Sequence, residues 1–166
     1  IFRKNEKSDN NLEFVGDKVY KIFLARNFDM KKNRFIDKSL ENFFYIDVIL
    51  KIFPNAKFIN TTRNIEDNIF AIYKQTLSKI SWTHSIEDIL RYMDNYFKVI
   101  DYFIKKYPDK IFSLKLEDLS SKPGEITKKL YNFCDLAWTD EVLEFHKKKD
   151  VLISTASNIQ IRDKIQ

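Results

Sequence analysis

Two cations stand where their neighbours would let them act on an anion, Arg63 and Lys38. Arg63 follows the apolar run Lys57-Phe58-Ile59-Asn60-Thr61 and precedes Asn64-Ile65-Glu66-Asp67, so it falls between a strand and a helix start. A helix N-terminus offers unpaired N–H groups and a partial positive charge, and a guanidinium beside it completes a phosphate-binding arrangement. A surface ion pair with Glu66 or Asp67 is the equal alternative for Arg63. Lys38 follows Asp37 at the end of a second candidate strand and also has two readings. It is a solvated loop lysine, or an ammonium that neutralises charge on a leaving phosphate in the same crevice.

The elements that must hold these residues follow from periodicity and punctuation. Leu12, Val15, Val19, Ile22 and Phe23 recur at helical spacing and predict an amphipathic helix from Leu12 to about Phe28. Arg34 to Asp37 is a short candidate strand, and Ser39 is placed to cap a helix bearing Phe43, Ile46, Ile49, Leu50 and Phe53 that Pro54-Asn55 closes. A buried strand over Lys57–Thr61 and a helix beginning just after Arg63, capped by Asn64, come next. Ser85-Ile86-Glu87-Asp88 has the pattern of a capping box ahead of a long helix ending near Tyr107-Pro108. Ile111 to Leu116 is a further strand, Pro123 suits the first turn of a helix bearing Ile126, Leu130 and Phe133, and Asp140 opens a short helix through Phe145. Helices alternating with short apolar strands predict an α/β domain with a mainly parallel sheet, which binds ligands beyond the carboxyl ends of its strands.

Composition narrows the chemistry. The 166 residues are 44% apolar and 15% aromatic, enough for one core. Net charge is +5 with an isoelectric point near 9.1, which favours anionic ligands without choosing among them. Acidic and basic residues are interspersed, which ranks a nucleic-acid-binding role last. A lone Cys134 fits a reducing compartment and, with His84 and His146 far apart, offers no zinc site. No apolar run approaches the roughly 18 residues of a membrane span, and Ile1 to Lys7 is charged where a signal peptide turns apolar. A cytoplasmic location is the default. Tyr92, Tyr96 and Tyr102 sit at helical spacing and read as core, Trp138 as packing a loop against the sheet, and Lys147-Lys148-Lys149 first as a solvated loop or helix end and second as an acceptor- or phosphate-binding run.

Five segments in order carry a resemblance: Asp37-Lys38-Ser39-Leu40-Glu41-Asn42-Phe43; Phe53-Pro54-Asn55-Ala56-Lys57 with Arg63 through Tyr73; Leu116-Glu117-Asp118-Leu119; Leu136-Ala137-Trp138; and Ser154-Thr155-Ala156-Ser157-Asn158-Ile159-Gln160-Ile161-Arg162. From about Leu12 onward the chain resembles the sulfotransferases that use 3′-phosphoadenosine 5′-phosphosulfate (PAPS), above all bacterial ones fused to tetratricopeptide repeats and the tyrosylprotein sulfotransferases. The resemblance implies a P-loop NTPase-like three-layer α/β domain. This chain would be its C-terminal part, with a loose polar start over residues 1–10 and room for tetratricopeptide repeats upstream. It also implies PAPS as co-substrate, no metal, and a hydroxyl or amine acceptor. Arg63 would bind the donor's 3′-phosphate, and Lys38 would stabilise the bridging oxygen and the moving sulfuryl group. Ser157 would lie on the other side of that group, with Gln160 and Arg162 in the loop closing over the nucleotide. On sequence context alone Ser157 also reads as a simple loop or turn residue.

Departures from the family pattern are local. Ala71 stands where the family has a serine eight residues after its arginine, Gln75 where the tyrosylprotein enzymes have another arginine, and Leu116 where a tyrosine precedes Glu117. Lys74 compensates in charge but not in bidentate geometry. These changes motivate a rival expectation, a non-catalytic nucleotide-binding or interaction module with a degenerate sulfotransferase fold. The loop that cradles the 5′-phosphosulfate and the usual general base would both precede Ile1. The 166-residue chain alone is therefore expected to transfer no sulfuryl group. Incubating it with labelled PAPS and a panel of acceptors checks this, and detectable turnover contradicts it.

Overall fold

A computed structural model describes residues 14–18, 21, 34–75, 77 and 79–147. Its frame is a pair of parallel strands, β1 (Phe58–Thr62) and β2 (Ile111–Lys115), registered from Phe58 opposite Ile111 to Thr62 opposite Lys115. Parallel neighbours cannot be joined by a hairpin and need a long crossover. Here it runs through α2 (Ile65–Gln75), a 3₁₀ turn (Ser81–His84) and α3 (Ile86–Lys106). Before β1 come a 3₁₀ turn (Asn42–Tyr45) and α1 (Ile46–Ile52); after β2 come α4 (Leu116–Ser121), α5 (Pro123–Phe133) and a kinked 3₁₀ segment (Asp140–Lys147). The described part is thus a mixed α/β fold with helices flanking a parallel sheet, as the sequence predicts.

The long helix α3 forms because its apolar residues fall on one stripe. Ile89, Met93, Ile100 and Phe103 are all buried, Glu87 and Asp88 occupy its first turn, and Lys105 and Lys106 its last, matching charge to the helix dipole. Ile46 of α1, Ile100 and Phe103 of α3 and Ile111 of β2 make the core, with Phe43, Leu50, Phe58 and Tyr96 packed around it. Ile46 and Ile89 are 1% and 0% exposed, each stabilising the fold by about 1.5–3 kcal/mol. Pro123 begins α5 where its missing N–H costs nothing. The end of α5 is a Schellman turn: Leu136 N–H donates to the Tyr131 carbonyl at 2.9 Å and Asp135 N–H to that of Asn132 at 3.1 Å. Asp135 takes the left-handed conformation (φ 52°) that glycine usually fills there, and its carboxylate meets Lys57 Nζ at 2.6 Å, which fastens this turn to the start of β1.

Several expectations are corrected. Arg34–Asp37 is not a strand; residues 34–39 have no regular structure because side chains, not a ladder, fasten them. The Arg34 guanidinium donates to the Cys134 carbonyl, and the Asp37 carboxylate takes two side-chain donors downstream. Ser39 caps no helix, since its hydroxyl donates to Asp37. The helix it was expected to cap is split into the 3₁₀ turn and α1. Ser85 sits at the cap position of α3 in an extended conformation, but its side chain makes no cap bond, and Asp88 pairs instead with Arg91 at 3.5 Å. Tyr102 is 55% exposed beneath the Lys106 ammonium rather than in the core. Trp138 is fastened to α5, donating to Thr127 Oγ1 at 3.0 Å with the Lys128 ammonium 4.5 Å over its ring. Residues 14–18 are helical, and the rest of the predicted first helix lies largely outside the described residues.

Asp47, in the first turn of α1, joins that helix to the end of α3. Tyr107 Oη donates to it at 2.6 Å and Lys106 Nζ at 2.9 and 3.0 Å. Those donors, the phenol first, hold the Asp47 carboxyl below the usual carboxylate range. A lowered folded-state value gives stability that is present above the unfolded value, about pH 4, and is lost as pH falls through the folded one. Asp47→Asn is accordingly expected to be less stable than the wild type at neutral pH, with the gap closing below about pH 4. Urea denaturation at a series of pH values checks this, and a gap that persists unchanged at low pH contradicts it.

Candidate functional site

Beyond Thr62 and Lys115 the paired strands end side by side, and both chains turn into helices. On the β1 side Asn64 caps α2: its Oδ1 accepts Asp67 N–H at 3.0 Å, and its carbonyl accepts Asn68 N–H at 3.0 Å. That cap is the one expected from sequence. On the β2 side Glu117, in the first turn of α4, reaches across, and its Oε1 accepts the Asn64 backbone N–H at 2.7 Å. The Asn64 N–H bond, then Glu117's own N–H, then the charges of Arg63 and Lys115, hold the Glu117 carboxyl below its ordinary range.

Arg63 is exposed at the centre of this junction. It makes no ion pair within 4.0 Å with any described residue, Glu66 and Asp67 included, so the pairing alternative fails on geometry. Both acids instead sit in the first turn of α2, where they complement its dipole, and Asp67 N–H is bound by the cap. The guanidinium is left facing solvent beside a helix start.

Lys38 is exposed just before the Leu40–Glu41 turn, in a loop that Asp37 ties together. The Asp37 carboxylate accepts Ser39 Oγ–H at 2.7 Å and Asn42 Nδ2–H at 3.0 Å. With both carboxylate oxygens engaged by neutral donors, the adjacent acid does not pair with Lys38, which forms no ion pair with a described residue. A relay of contacts ties this loop to the strand that leads to Arg63. Phe43 meets Tyr96 edge-on, ring centroids 5.1 Å apart, and Tyr96 Oη donates to Asn60 Oδ1 in β1. Burial pushes the Tyr96 phenol up, and the bond to Asn60 partly opposes it. The two cations are thus anchored to one framework, with no direct contact between them.

Ser157, Gln160 and Arg162 lie outside the described residues. Ala71 is half-buried in α2, Gln75 is its exposed last residue, and Leu116 is 47% exposed at the start of α4. Sequence reading missed two organisers, Asp37 and Glu117. The first had a signal, an aspartate two residues before a serine and five before an asparagine. The second stood in the Leu116-Glu117 segment of the resemblance, but its role was not legible there, because the Asn64 and Glu117 contact spans 53 residues and exists only through the strand pairing. Among the described residues no group of three or more His, Cys, Asp or Glu side chains is placed to hold a metal, and no helix is long and apolar enough to cross a membrane.

Arg63 thus lies exposed beyond the carboxyl end of a parallel strand, the side of the sheet on which α/β folds bind ligands. The sequence matches the profile of the sulfotransferase family over residues 3–140, and the chain belongs to that family. It is also similar to an uncharacterized protein of Aquifex aeolicus (strain VF5), 32% identical over 154 residues. That match takes in 90% of the chain and 19% of the relative, so the chain spans about a fifth of the relative's length.

Proposed function

We propose that the protein transfers a sulfuryl group from PAPS to a hydroxyl or amine acceptor, and that this chain forms the downstream part of the catalytic domain. The observation that carries the reading is Arg63, unpaired among the described residues beside a capped helix start at the carboxyl end of β1. A dianionic 3′-phosphate there meets a bidentate donor and the positive end of α2. Lys38 serves the other end of the donor. As the acceptor attacks sulfur in line, the S–O bond to the 5′-phosphate breaks, and its electron pair settles on the bridging oxygen, where the ammonium stabilises it. Ser157 stands across from Lys38, Gln160 and Arg162 close over the nucleotide, and the acceptor's proton leaves to a base outside this chain. A reducing, cytoplasmic setting suits the single Cys134.

A second reading, a nucleotide-binding module without transfer, draws on Ala71. With an alanine in α2 facing partly inward, that helix brings no hydroxyl to the phosphate from this position. Calorimetric titration of the full-length protein with the desulfated product, adenosine 3′,5′-bisphosphate, decides between them when joined to a transfer assay. Arg63→Ala is expected to weaken binding by roughly tenfold or more, the worth of a charged hydrogen bond. Lys38→Ala is expected to keep most of the affinity and to lose on the order of 100-fold in turnover. Unchanged binding in Arg63→Ala overturns the phosphate assignment, and binding without transfer to any acceptor favours the module.

A further inference from the structure

Glu117 takes no part in the chemistry proposed above, yet it touches the backbone one residue from Arg63. The Asn64 N–H belongs to the cap residue, outside the hydrogen-bond ladder of α2, and needs an acceptor from elsewhere. Glu117 supplies it at 2.7 Å. The peptide unit joining Arg63 to Asn64 is planar, so fixing that N–H fixes the plane from which the Arg63 side chain departs. The partner is itself well anchored. Glu117 lies in the first turn of α4, two residues beyond Lys115, whose position opposite Thr62 is set by the strand register.

We propose that Glu117 is the positioning residue of the Arg63 junction, holding the β1–α2 turn to the start of α4 so that the guanidinium is preset for a ligand phosphate. This rests on the reading of Arg63 as the phosphate-binding residue. The charged groups facing the carboxylate are Arg63 from the junction and Lys115 from β2, and both favour its ionised, accepting form. The opposite possibility is a carboxylate that competes with the phosphate for the positive junction, and it predicts the opposite sign. Neutralising Glu117 would then tighten binding instead of leaving it intact.

The test compares the full-length wild type with Glu117→Ala, Glu117→Gln and Arg63→Ala, each titrated with adenosine 3′,5′-bisphosphate and with adenosine 5′-monophosphate. The monophosphate lacks the group that Arg63 would hold, so the ratio of the two affinities reads the junction alone and is insensitive to a general loss of folded protein. Glu117→Ala is expected to weaken the bisphosphate about tenfold and to leave the monophosphate within about twofold. Glu117→Gln, which keeps an oxygen for Asn64, restores most of the ratio. In the wild type the Asn64 amide resonance, followed with selective asparagine ¹⁵N labelling, shifts as acid protonates Glu117, with a midpoint below that of a free glutamate; in Glu117→Gln that shift is absent. An unchanged ratio in Glu117→Ala, or tighter bisphosphate binding in Glu117→Gln, overturns the role of Glu117 while leaving Arg63 in place. A wild type that does not distinguish the nucleotides, or an Arg63→Ala that distinguishes them equally well, overturns the phosphate assignment itself.

Discussion

Parallel pairing of β1 with β2 is the constraint on which the arrangement depends. Because the strands run the same way, both end on one side of the sheet, and the two helix starts that follow are forced into contact. An antiparallel pair would put Arg63 and Glu117 at opposite ends. The parallel pairing in turn demands the long crossover, and α3 repays its length by burying Ile89, Met93, Ile100 and Phe103. The same helix carries Tyr96 to Asn60 in β1 and Lys106 and Tyr107 to Asp47 in α1, so a single element braces the strand and the segment leading from Lys38.

How the chain disposes of its acids explains why neither Arg63 nor Lys38 forms an ion pair among the described residues. Asp37 is engaged by Ser39 and Asn42, Asp67 lies in the capped first turn of α2, and Glu117 accepts a backbone N–H. Elsewhere lysines meet aspartates freely, as in the Lys98 to Asp94 and Lys105 to Asp101 pairs along α3. Such exposed pairs contribute little to stability. At the junction Glu117 differs in accepting a neutral backbone N–H, with the charges of Arg63 and Lys115 close enough to favour its ionised form.

Much of this was legible in the sequence, and for one reason. The α3 stripe, the two short apolar strands, the Asn64 cap and the Pro123 helix start are set by residues within a few positions of one another. What the sequence misplaced depends on side-chain partners that local rules do not weigh. Arg34 to Asp37 looks extended, and its fate is decided by the Cys134 carbonyl 100 residues away from Arg34. Ser39 looks like a cap, but its hydroxyl is taken by an aspartate that sequence rules left unassigned. Glu117 follows the same logic: its neighbours in the chain mark a helix start, and only the register shows which backbone group it serves.

The central claim is that Arg63, presented by the β1–α2 turn, holds the phosphate that marks the donor nucleotide. A crystal structure of the full-length protein bound to adenosine 3′,5′-bisphosphate tests it most directly. The account predicts the 3′-phosphate within hydrogen-bond distance of the Arg63 guanidinium, with the Asn64 N–H still bonded to Glu117. A nucleotide seated elsewhere, with Arg63 pointing into solvent, would contradict it.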